Sequence, residues 1–192
     1  MCLYCRRATL LFDEPLTVID PHLKWQLRRK LKQIHHELKL TLVYVTHDQV
    51  EALTFADQVV VMTRGRAVQI GSASDLFERP RHTFVGHFIG SPGMNFLPAR
   101  MAGGAPAGAT TLGVRPEYVT LAAPNADGAV PATVTQAQDI GTYWLVTAKV
   151  ADGSVVRARL SPEQTIPKPG ANVWLAIVGT HTCYYRDEEL VA

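Results

Sequence analysis

Three residues in the first part of the chain carry side chains that together could act on a phosphate ester. Asp13 and Glu14 directly follow an apolar run, Leu10 to Phe12, and His47 closely follows a second one, Leu42 to Val45. Carboxylate oxygens are the protein ligands that Mg²⁺ prefers, and a carboxylate can also act as a base toward water. An imidazole can donate a hydrogen bond to a phosphate oxygen. These residue types therefore predict metal-assisted hydrolysis of a phosphate ester.

The elements around these residues predict that they meet at one place. Thr41 to Thr46 is rich in β-formers and apolar on both faces, as a central parallel strand is. Between the two strands, Asp20 and Pro21 indicate a helix start, with an acid as N-cap and proline at the first helical position. Large apolar residues then recur at helical spacing, at Ile19, Leu23, Leu27, Leu31, Ile34 and Leu38. Since ligands bind at the carboxyl ends of parallel strands, we expect Asp13, Glu14 and His47 at one sheet edge.

The next segment predicts a hairpin and two short helices. Val59 to Ile70 contains two apolar runs separated by a turn at Arg64-Gly65-Arg66. Ser72 to Arg79 and His82 to Ile89 have helical character, and Pro80 and Gly90 stop them. We interpret Ser91-Pro92-Gly93 as a hinge and predict a first domain over residues 1–93.

Beyond residue 93 the pattern changes from helical to strand-like, which predicts a second domain over residues 94–192. The strongest short-range signal is Asp152-Gly153, a hairpin turn between two alternating runs. Strand signals occur at Ala132 to Gln136, Tyr143 to Val150, Ser154 to Leu160 and Val173 to Val178. Proline and glycine punctuate the rest, so we predict a small all-β barrel. Its aromatic residues are interpreted as barrel core.

Composition narrows the possible partners. The 192 residues are 47% hydrophobic and 19% charged, as in an ordinary soluble globular protein. A net charge of +2 gives no electrostatic reason to expect nucleic acid or an anionic membrane surface as partner. The apolar runs are far shorter than the ~20 residues of a membrane-spanning helix, so we expect membrane association only through a partner protein.

The three cysteines include Cys2-x-x-Cys5, which we interpret as incidental rather than as a zinc site because no second pair follows.

Several motifs resemble one protein family. L-L-F-D-E-P at Leu10 to Pro15 is similar to the Walker B motif of ABC-transporter ATPases, T-V-I-D-P at Thr17 to Pro21 to their D-loop, and V-T-H-D at Val45 to Asp48 to their H-loop. The order and the spacing of the three motifs also match. Glu78 to Val85 and Phe88 to Phe96 resemble the branch that imports sugars and glycerol phosphate, and similarity to the family extends through G-V-R-P-E at Gly113 to Glu117. The resemblance covers nearly the whole chain.

This resemblance implies a fold class and residue roles. The expected fold is α/β, a partial P-loop NTPase core with a parallel sheet, followed by a small all-β, OB-like domain of the TOBE type. Asp13 would hold Mg²⁺ through water, Glu14 would polarise the attacking water, and His47 would contact the γ-phosphate of ATP. Asp20, besides capping the helix, would make the D-loop contact across a nucleotide-sandwich dimer.

The resemblance also implies partners and a location. The expected cofactors, in a full-length subunit, are ATP and Mg²⁺. The expected partners are a second copy of the ATPase subunit, two membrane-spanning permease subunits and a solute-binding protein that together import a sugar, a polyol or glycerol phosphate. The chain would then lie at the cytoplasmic face of the inner membrane as a peripheral subunit, without a transmembrane segment.

Other motifs of the family do not occur in this sequence. It contains no G-x-x-x-x-G-K-[ST] loop to cradle phosphates, no L-S-G-G-Q signature and no glutamine loop. We therefore interpret the chain as the C-terminal part of a longer subunit and expect it to be inactive as an ATPase by itself. Two functions stay open: an energy-coupling ATPase subunit, and a non-enzymatic regulatory or small-ligand-binding module whose ATPase part is inert.

Residues near the motifs also have structural interpretations. His47 could be a histidine that bonds to backbone at a strand end, and Gln49 and Glu51 have the character of helix-surface residues. Arg115 and Glu117 could bind a small ligand or close a turn, and Pro116 between them favours the turn.

Overall fold

The computed structural model describes residues 9–16, 19–39, 41–101 and 103–191. The chain divides into two compact units, Met1–Val59 and Val60–Ala192. Cys2 and Cys5 lie outside the described residues, as do Thr17 and Val18 of the segment that resembles a D-loop.

The first unit is a strand–helix–strand unit followed by a short helix. Its elements in chain order are β1 (Thr9–Asp13), α1 (Pro21–Leu38), β2 (Thr41–Val45) and α2 (Gln49–Phe55). β1 and β2 pair in parallel, with Leu11 opposite Val43 and Asp13 opposite Val45. The predicted parallel pairing is therefore confirmed, and both strands end at the same edge.

Helix α1 begins where the cap signal predicts. The Asp20 carboxylate accepts a hydrogen bond from the backbone N–H of His22 at 2.9 Å, and Pro21 occupies the first turn. The helix ends at Lys39, which has left-handed backbone dihedrals. None of the helices in the described part of the chain is both long and apolar enough to cross a membrane.

The strand pair of the first unit is more exposed than its sequence predicts. Leu11 retains 69% of its accessible surface, and Val43 and Val45 retain 44% and 46%. A parallel sheet is normally covered on both faces and extended by neighbouring strands, but the sheet of the described residues contains only β1 and β2. Among the described residues these two strands are therefore largely exposed, although their apolar side chains on both faces are typical of a covered central strand.

The next elements are a strand pair and two one-turn helices. β3 (Val59–Thr63) and β4 (Arg66–Gly71) form a two-stranded sheet. Their connecting residues Arg64 and Gly65 have positive φ angles of 48° and 75°, as tight hairpin turns require. α3 (Ala73–Glu78) and α4 (Thr83–Phe88) follow, so this predicted order of elements is confirmed.

The remaining residues form two sheets around one core. The strands are β5 (Asn95–Pro98), β6 (Thr111–Val114), β7 (Thr120–Ala122), β8 (Ala129–Asp139), β9 (Trp144–Val150), β10 (Val155–Leu160), β11 (Asn172–Ala176), β12 (Cys183–Arg186) and β13 (Glu189–Leu190). One sheet has the order β10-β9-β8-β11-β7 and the other β13-β12-β6-β5. Leu112 and Val114 of one sheet share a hydrophobic cluster with Val146, Val156 and Leu175 of the other. The predicted strand-rich second half is therefore confirmed.

The short helices α3 and α4 are tied to this β-structure within the second unit. The Tyr185 hydroxyl donates to the Pro80 carbonyl at 2.9 Å, and the Leu190 N–H donates to the Arg81 carbonyl at 2.8 Å. Arg115 is 1% exposed, and its guanidinium donates to carbonyl groups at the ends of both helices. This supports a structural role for Arg115. The domain boundary at residue 93 stays a prediction, and the compact unit begins at Val60.

A second connection between α3 and the β-structure runs through Glu78. The Tyr118 hydroxyl donates to one Glu78 oxygen at 2.5 Å, and His181 Nδ1 lies 2.8 Å from the other. The Tyr118 and His181 rings stack at 3.8 Å between centroids. Burial by itself raises the pKa of Glu78, but the hydrogen bonds from Tyr118 and His181 outweigh it and lower that pKa. Burial and the bond to Glu78 raise the pKa of Tyr118 to about 12.

This arrangement predicts a pH dependence of stability. Because the pKa of Glu78 is lower in the folded than in the unfolded state, its contribution is present above its usual value of 4.5 and is lost as the pH falls through the folded pKa. We expect Glu78→Gln to flatten the loss of stability as the pH falls below the usual carboxyl pKa of 4.5, measured by urea unfolding at successive pH values. Exposed Glu163→Gln is the control and should keep the wild-type slope. Identical slopes for wild type and Glu78→Gln would contradict the prediction.

Candidate functional site

The end of β1 presents the two predicted carboxylates one after the other. Asp13 is the last residue of the strand and is exposed. The backbone N–H of Glu14 donates to the Val45 carbonyl at 2.9 Å, so the contact between the strands continues one residue further. Glu14 has a positive φ of 44°, which is uncommon for a residue other than glycine, and the chain leaves the strand there. Glu14 therefore stands at the point where the strand becomes a loop.

The end of β2 brings His47 to the same point. His47 Nδ1 lies 3.0 Å from Glu14 Oε1, within hydrogen-bond distance. An ionised carboxylate only accepts, so Nδ1 of the imidazole carries the proton in this contact. The two side chains retain 68% and 44% of their accessible surface. The structure thus brings together two of the four predicted site residues in an accessible position, with Asp13 next to them in the chain.

The loop that carries His47 is held by hydrogen bonds on both sides of the histidine. Thr46 Oγ1 accepts from the Asp48 N–H at 3.0 Å. Asp48 is the N-cap of α2, and its Oδ1 accepts from the Glu51 N–H at 3.1 Å. The predicted start of α2 at Asp48 is therefore confirmed.

Glu51 lies in a different place from the one that its sequence pattern predicts. The interpretation of Glu51 as a helix-surface residue is wrong, because this residue is only 3% exposed. Its Oε2 accepts hydrogen bonds from the hydroxyls of Tyr44 at 3.0 Å and Thr46 at 3.1 Å, and Lys24 Nζ lies 3.4 Å from its Oε1. Burial and the bond to Glu51 raise the pKa of Tyr44, so its hydroxyl stays a donor. The available sequence signal was the spacing of Tyr44, in β2, and Thr46, directly after it, because residues two apart in extended chain place their hydroxyls on the same side.

Asp20 lies at the start of α1, where its carboxylate accepts from the His22 N–H. The capping role that the sequence predicts is therefore confirmed. Its contact with a nucleotide across a dimer stays a prediction.

Comparisons with known proteins identify the family context. Residues 112–183 match the family model described as the TOBE domain. The chain is 40% identical to the sn-glycerol-3-phosphate import ATP-binding protein UgpC of Salmonella typhi, with 88% of this chain and 52% of that protein covered. It is 39% identical to the protein of the same name from Escherichia coli K12, with 88% and 52% covered. An uncharacterized ABC transporter ATP-binding protein of Sinorhizobium fredii is 38% identical, with 86% and 48% covered.

The chain is therefore similar, over most of its own length, to ABC-transporter ATP-binding proteins. It spans about half the length of the curated relatives that it matches. The TOBE match falls on strands β6 to β12, inside the predicted all-β part. The resemblance that the motifs indicated and the predicted fold class, an α/β part followed by a TOBE-type β-part, are therefore confirmed.

The carboxylates at this strand edge can be compared with the ligands that Mg²⁺ prefers. Within the described ranges, no group of three or more His, Cys, Asp or Glu side chains could hold a metal ion. Mg²⁺ is commonly held by only one or two carboxylates, with phosphate oxygens and water completing its coordination. Asp13 is therefore a suitable carboxylate for a phosphate-bound Mg²⁺, whereas a cage made only of protein ligands is not what this donor set resembles.

Proposed function

We propose that this chain is part of the ATP-hydrolysing subunit of an ABC importer, and that the edge formed by Asp13, Glu14 and His47 faces the terminal phosphate of Mg-ATP. The observation that carries the proposal is the 3.0 Å contact between His47 Nδ1 and Glu14 Oε1 at the carboxyl ends of two parallel strands. The names of the relatives, which are ATP-binding proteins, support the choice of nucleotide.

Each residue at this edge has a distinct role in the proposal. Asp13 would hold a phosphate-bound Mg²⁺ through water, and the metal, when bound, would supply charge neutralisation on the phosphate oxygens. Glu14 accepts a hydrogen bond from the attacking water and polarises it. His47 orients the Glu14 carboxylate through Nδ1–H and reaches toward a phosphate oxygen through Nε2.

The geometry adds a condition on the protonation of His47. A neutral imidazole has one N–H, and the contact with Glu14 uses it at Nδ1. Nε2 can donate to a phosphate oxygen only when the ring carries both protons. We therefore propose that His47 acts as an imidazolium when it holds Glu14 and phosphate at the same time.

The names of the relatives support a proposal for the transported solute and for the partner subunits. Several of them are named as sn-glycerol-3-phosphate import ATP-binding proteins. We propose glycerol phosphate or a related small polar solute as cargo, with permease subunits and a solute-binding protein as partners. In this proposal Asp20 contacts nucleotide across a dimer of ATPase subunits at the cytoplasmic face of the inner membrane.

Titration of Mg-ATP into the purified full chain, followed by calorimetry, tests this function. We expect saturable heat at millimolar nucleotide that requires Mg²⁺. His47→Ala should weaken binding about 10-fold or more, since a hydrogen bond to a charged group contributes about 1.5–3 kcal/mol. Glu14→Gln keeps the size of the side chain and should retain binding.

The control is His36→Ala, which removes an exposed histidine on α1 and should leave the binding constant unchanged. Absence of heat at millimolar Mg-ATP, or equal weakening by His36→Ala and His47→Ala, would contradict the proposal. The alternative would then be favoured: a β-domain that binds a regulator or a small ligand while the ATPase part is inert.

A further inference from the structure

Glu51 is a buried carboxylate that the proposed chemistry does not use. It lies on α2, yet its side chain contacts residues of the neighbouring helix, strand and loop. Lys24 Nζ of α1 lies 3.4 Å from Oε1, and the hydroxyls of Tyr44 and Thr46 donate to Oε2. Oε1 has no hydrogen bond within the part of the chain that the structure describes, so the Lys24 ammonium is its electrostatic partner.

A buried carboxylate of this kind contributes little net free energy to the stability of a fold. Transfer of a carboxylate from water into the protein interior is unfavourable, and a buried ion pair often contributes no more than apolar residues of the same volume. What a buried carboxylate contributes is structural specificity, because its hydrogen bonds fix the positions of the groups that donate to it. The informative question is therefore which donor Glu51 holds in place.

The bonds from Glu51 lead to His47 from both sides. Thr46 Oγ1 donates to Glu51 Oε2 at 3.1 Å and accepts from the Asp48 N–H at 3.0 Å. The Glu51 N–H donates to Asp48 Oδ1 at 3.1 Å. The residues before and after His47 are thus both fixed through Glu51.

His47 itself has little packing to hold it. Its side chain is 68% exposed, and its partner Glu14 is 44% exposed. The 3.0 Å contact between the two side chains therefore depends on where the backbone of the loop places His47.

We propose that Glu51 is a positioning residue that holds His47 against Glu14, acting through the Thr46 hydroxyl. The importance of this contact for phosphate chemistry rests on the proposed function. The positioning itself is a property of the chain without nucleotide.

The protonation site of the His47 ring reports this positioning. A histidine that donates to a carboxylate through Nδ1 is held in the Nδ1–H tautomer, and loss of that partner removes the preference. The experiment is nitrogen-15 NMR of the full chain with labelled histidine, at a pH where the neutral ring predominates and without nucleotide. His47→Gln identifies the His47 signals among those of the seven histidines.

The expected result is an Nδ1–H signal for His47 in the wild type that is mostly lost in Thr46→Val and in Glu51→Ala. Thr46→Ser restores the hydroxyl and should restore the signal, and Glu51→Gln keeps an acceptor oxygen and should retain most of it. Tyr44→Phe is the matched control, because it removes the other donor to the same Oε2 atom and leaves the loop bonds intact. It should lower the melting temperature but keep the Nδ1–H signal.

Three results would overturn the proposal: no Nδ1–H signal for His47 in the wild type, the wild-type signal in Thr46→Val, or loss of the signal in Tyr44→Phe. Thr46→Val provides the test even where Glu51→Ala does not fold. Since no nucleotide is present, a negative Mg-ATP titration leaves this result standing. Conversely, Mg-ATP can bind even if Glu51 does not position His47. The failure of this proposal can therefore be told apart from the failure of the proposed function.

Discussion

Replacement of Arg115 by alanine is expected to destabilise the second unit by about 3–5 kcal/mol, because it removes the donor for three backbone carbonyl groups. Arg115 is only 1% exposed and is among the largest fully buried side chains of the described residues. Its Nε donates to the Phe77 carbonyl at 2.6 Å, its Nη1 to the Ile89 carbonyl at 2.5 Å and its Nη2 to the Leu76 carbonyl at 3.4 Å.

The size of the effect follows from what the acceptors would lose. These carbonyls lie at the ends of α3 and α4, where helix geometry provides no further intrahelical partner for them. Alanine would leave them without this donor, and each buried unsatisfied group costs about 1–3 kcal/mol. The guanidinium also lies 4.0 Å from the centre of the Phe77 ring, a cation–π contact that alanine cannot make. Burial lowers the pKa of Arg115, but an arginine side chain stays charged at neutral pH.

Thermal and urea unfolding of the full chain, followed by tryptophan fluorescence, would measure the loss. We expect the transition that involves Trp144 and Trp174 to shift downward by about 10–20 °C. Arg115→Lys should recover part of the loss, since one ammonium can reach some but not all of the carbonyls. Arg157→Ala removes an exposed arginine side chain and should change stability by about 0.5 kcal/mol or less. Equal effects of Arg115→Ala and Arg157→Ala would contradict the structural role of Arg115.

Replacement of Gly93 by alanine is expected to destabilise the same unit by about 3 kcal/mol, the upper end of the usual range for overpacking. A Cβ atom at residue 93 would lie 2.3 Å from the carbonyl oxygen of His87. That oxygen belongs to the backbone, so no side-chain rotation relieves the overlap. The adjacent Met94 N–H donates to the Gly86 carbonyl at 2.9 Å, which holds the two segments at this separation.

Gly179→Ala is the matched control for this substitution. A Cβ atom at residue 179 meets nothing within 4 Å, and its φ is outside the left-handed region. We expect its urea midpoint to stay close to that of the wild type, whereas Gly93→Ala should lower the midpoint markedly. Equal midpoints for the two variants would show that the backbone at residues 87 and 93 yields easily, in contradiction to the prediction.

The local elements could be predicted from sequence because their signals are local. Asp20 and Pro21 begin α1 through a cap and a preset φ angle, and Asp152-Gly153 separates β9 from β10. The short strands β5, β6, β7, β12 and β13 carry no comparable signal. Each has only two to four residues, and partners distant in the chain determine its pairing, as Cys183 opposite Gly113 illustrates.

The position of the candidate site could also be predicted from local sequence signals. Parallel pairing of two strands is enough to expect Glu14 and His47 at one edge, and the structure has their side chains 3.0 Å apart. The catalytic and metal-binding roles of these residues stay predictions. The burial of Glu51 was not predicted, because Asp48 and Glu51 at this spacing already satisfy the pattern of a helix cap.

The sequence by itself determined where the helices and longer strands lie, which family the chain resembles and which residues carry candidate phosphate chemistry. Those properties depend on side-chain type and on spacing over a few residues. Only the tertiary structure decided that Arg115 joins two helix ends to the β-structure and that Glu51 is enclosed by Lys24, Tyr44 and Thr46. A side chain is buried or exposed according to what distant segments pack over it, and that information is not present in local sequence spacing.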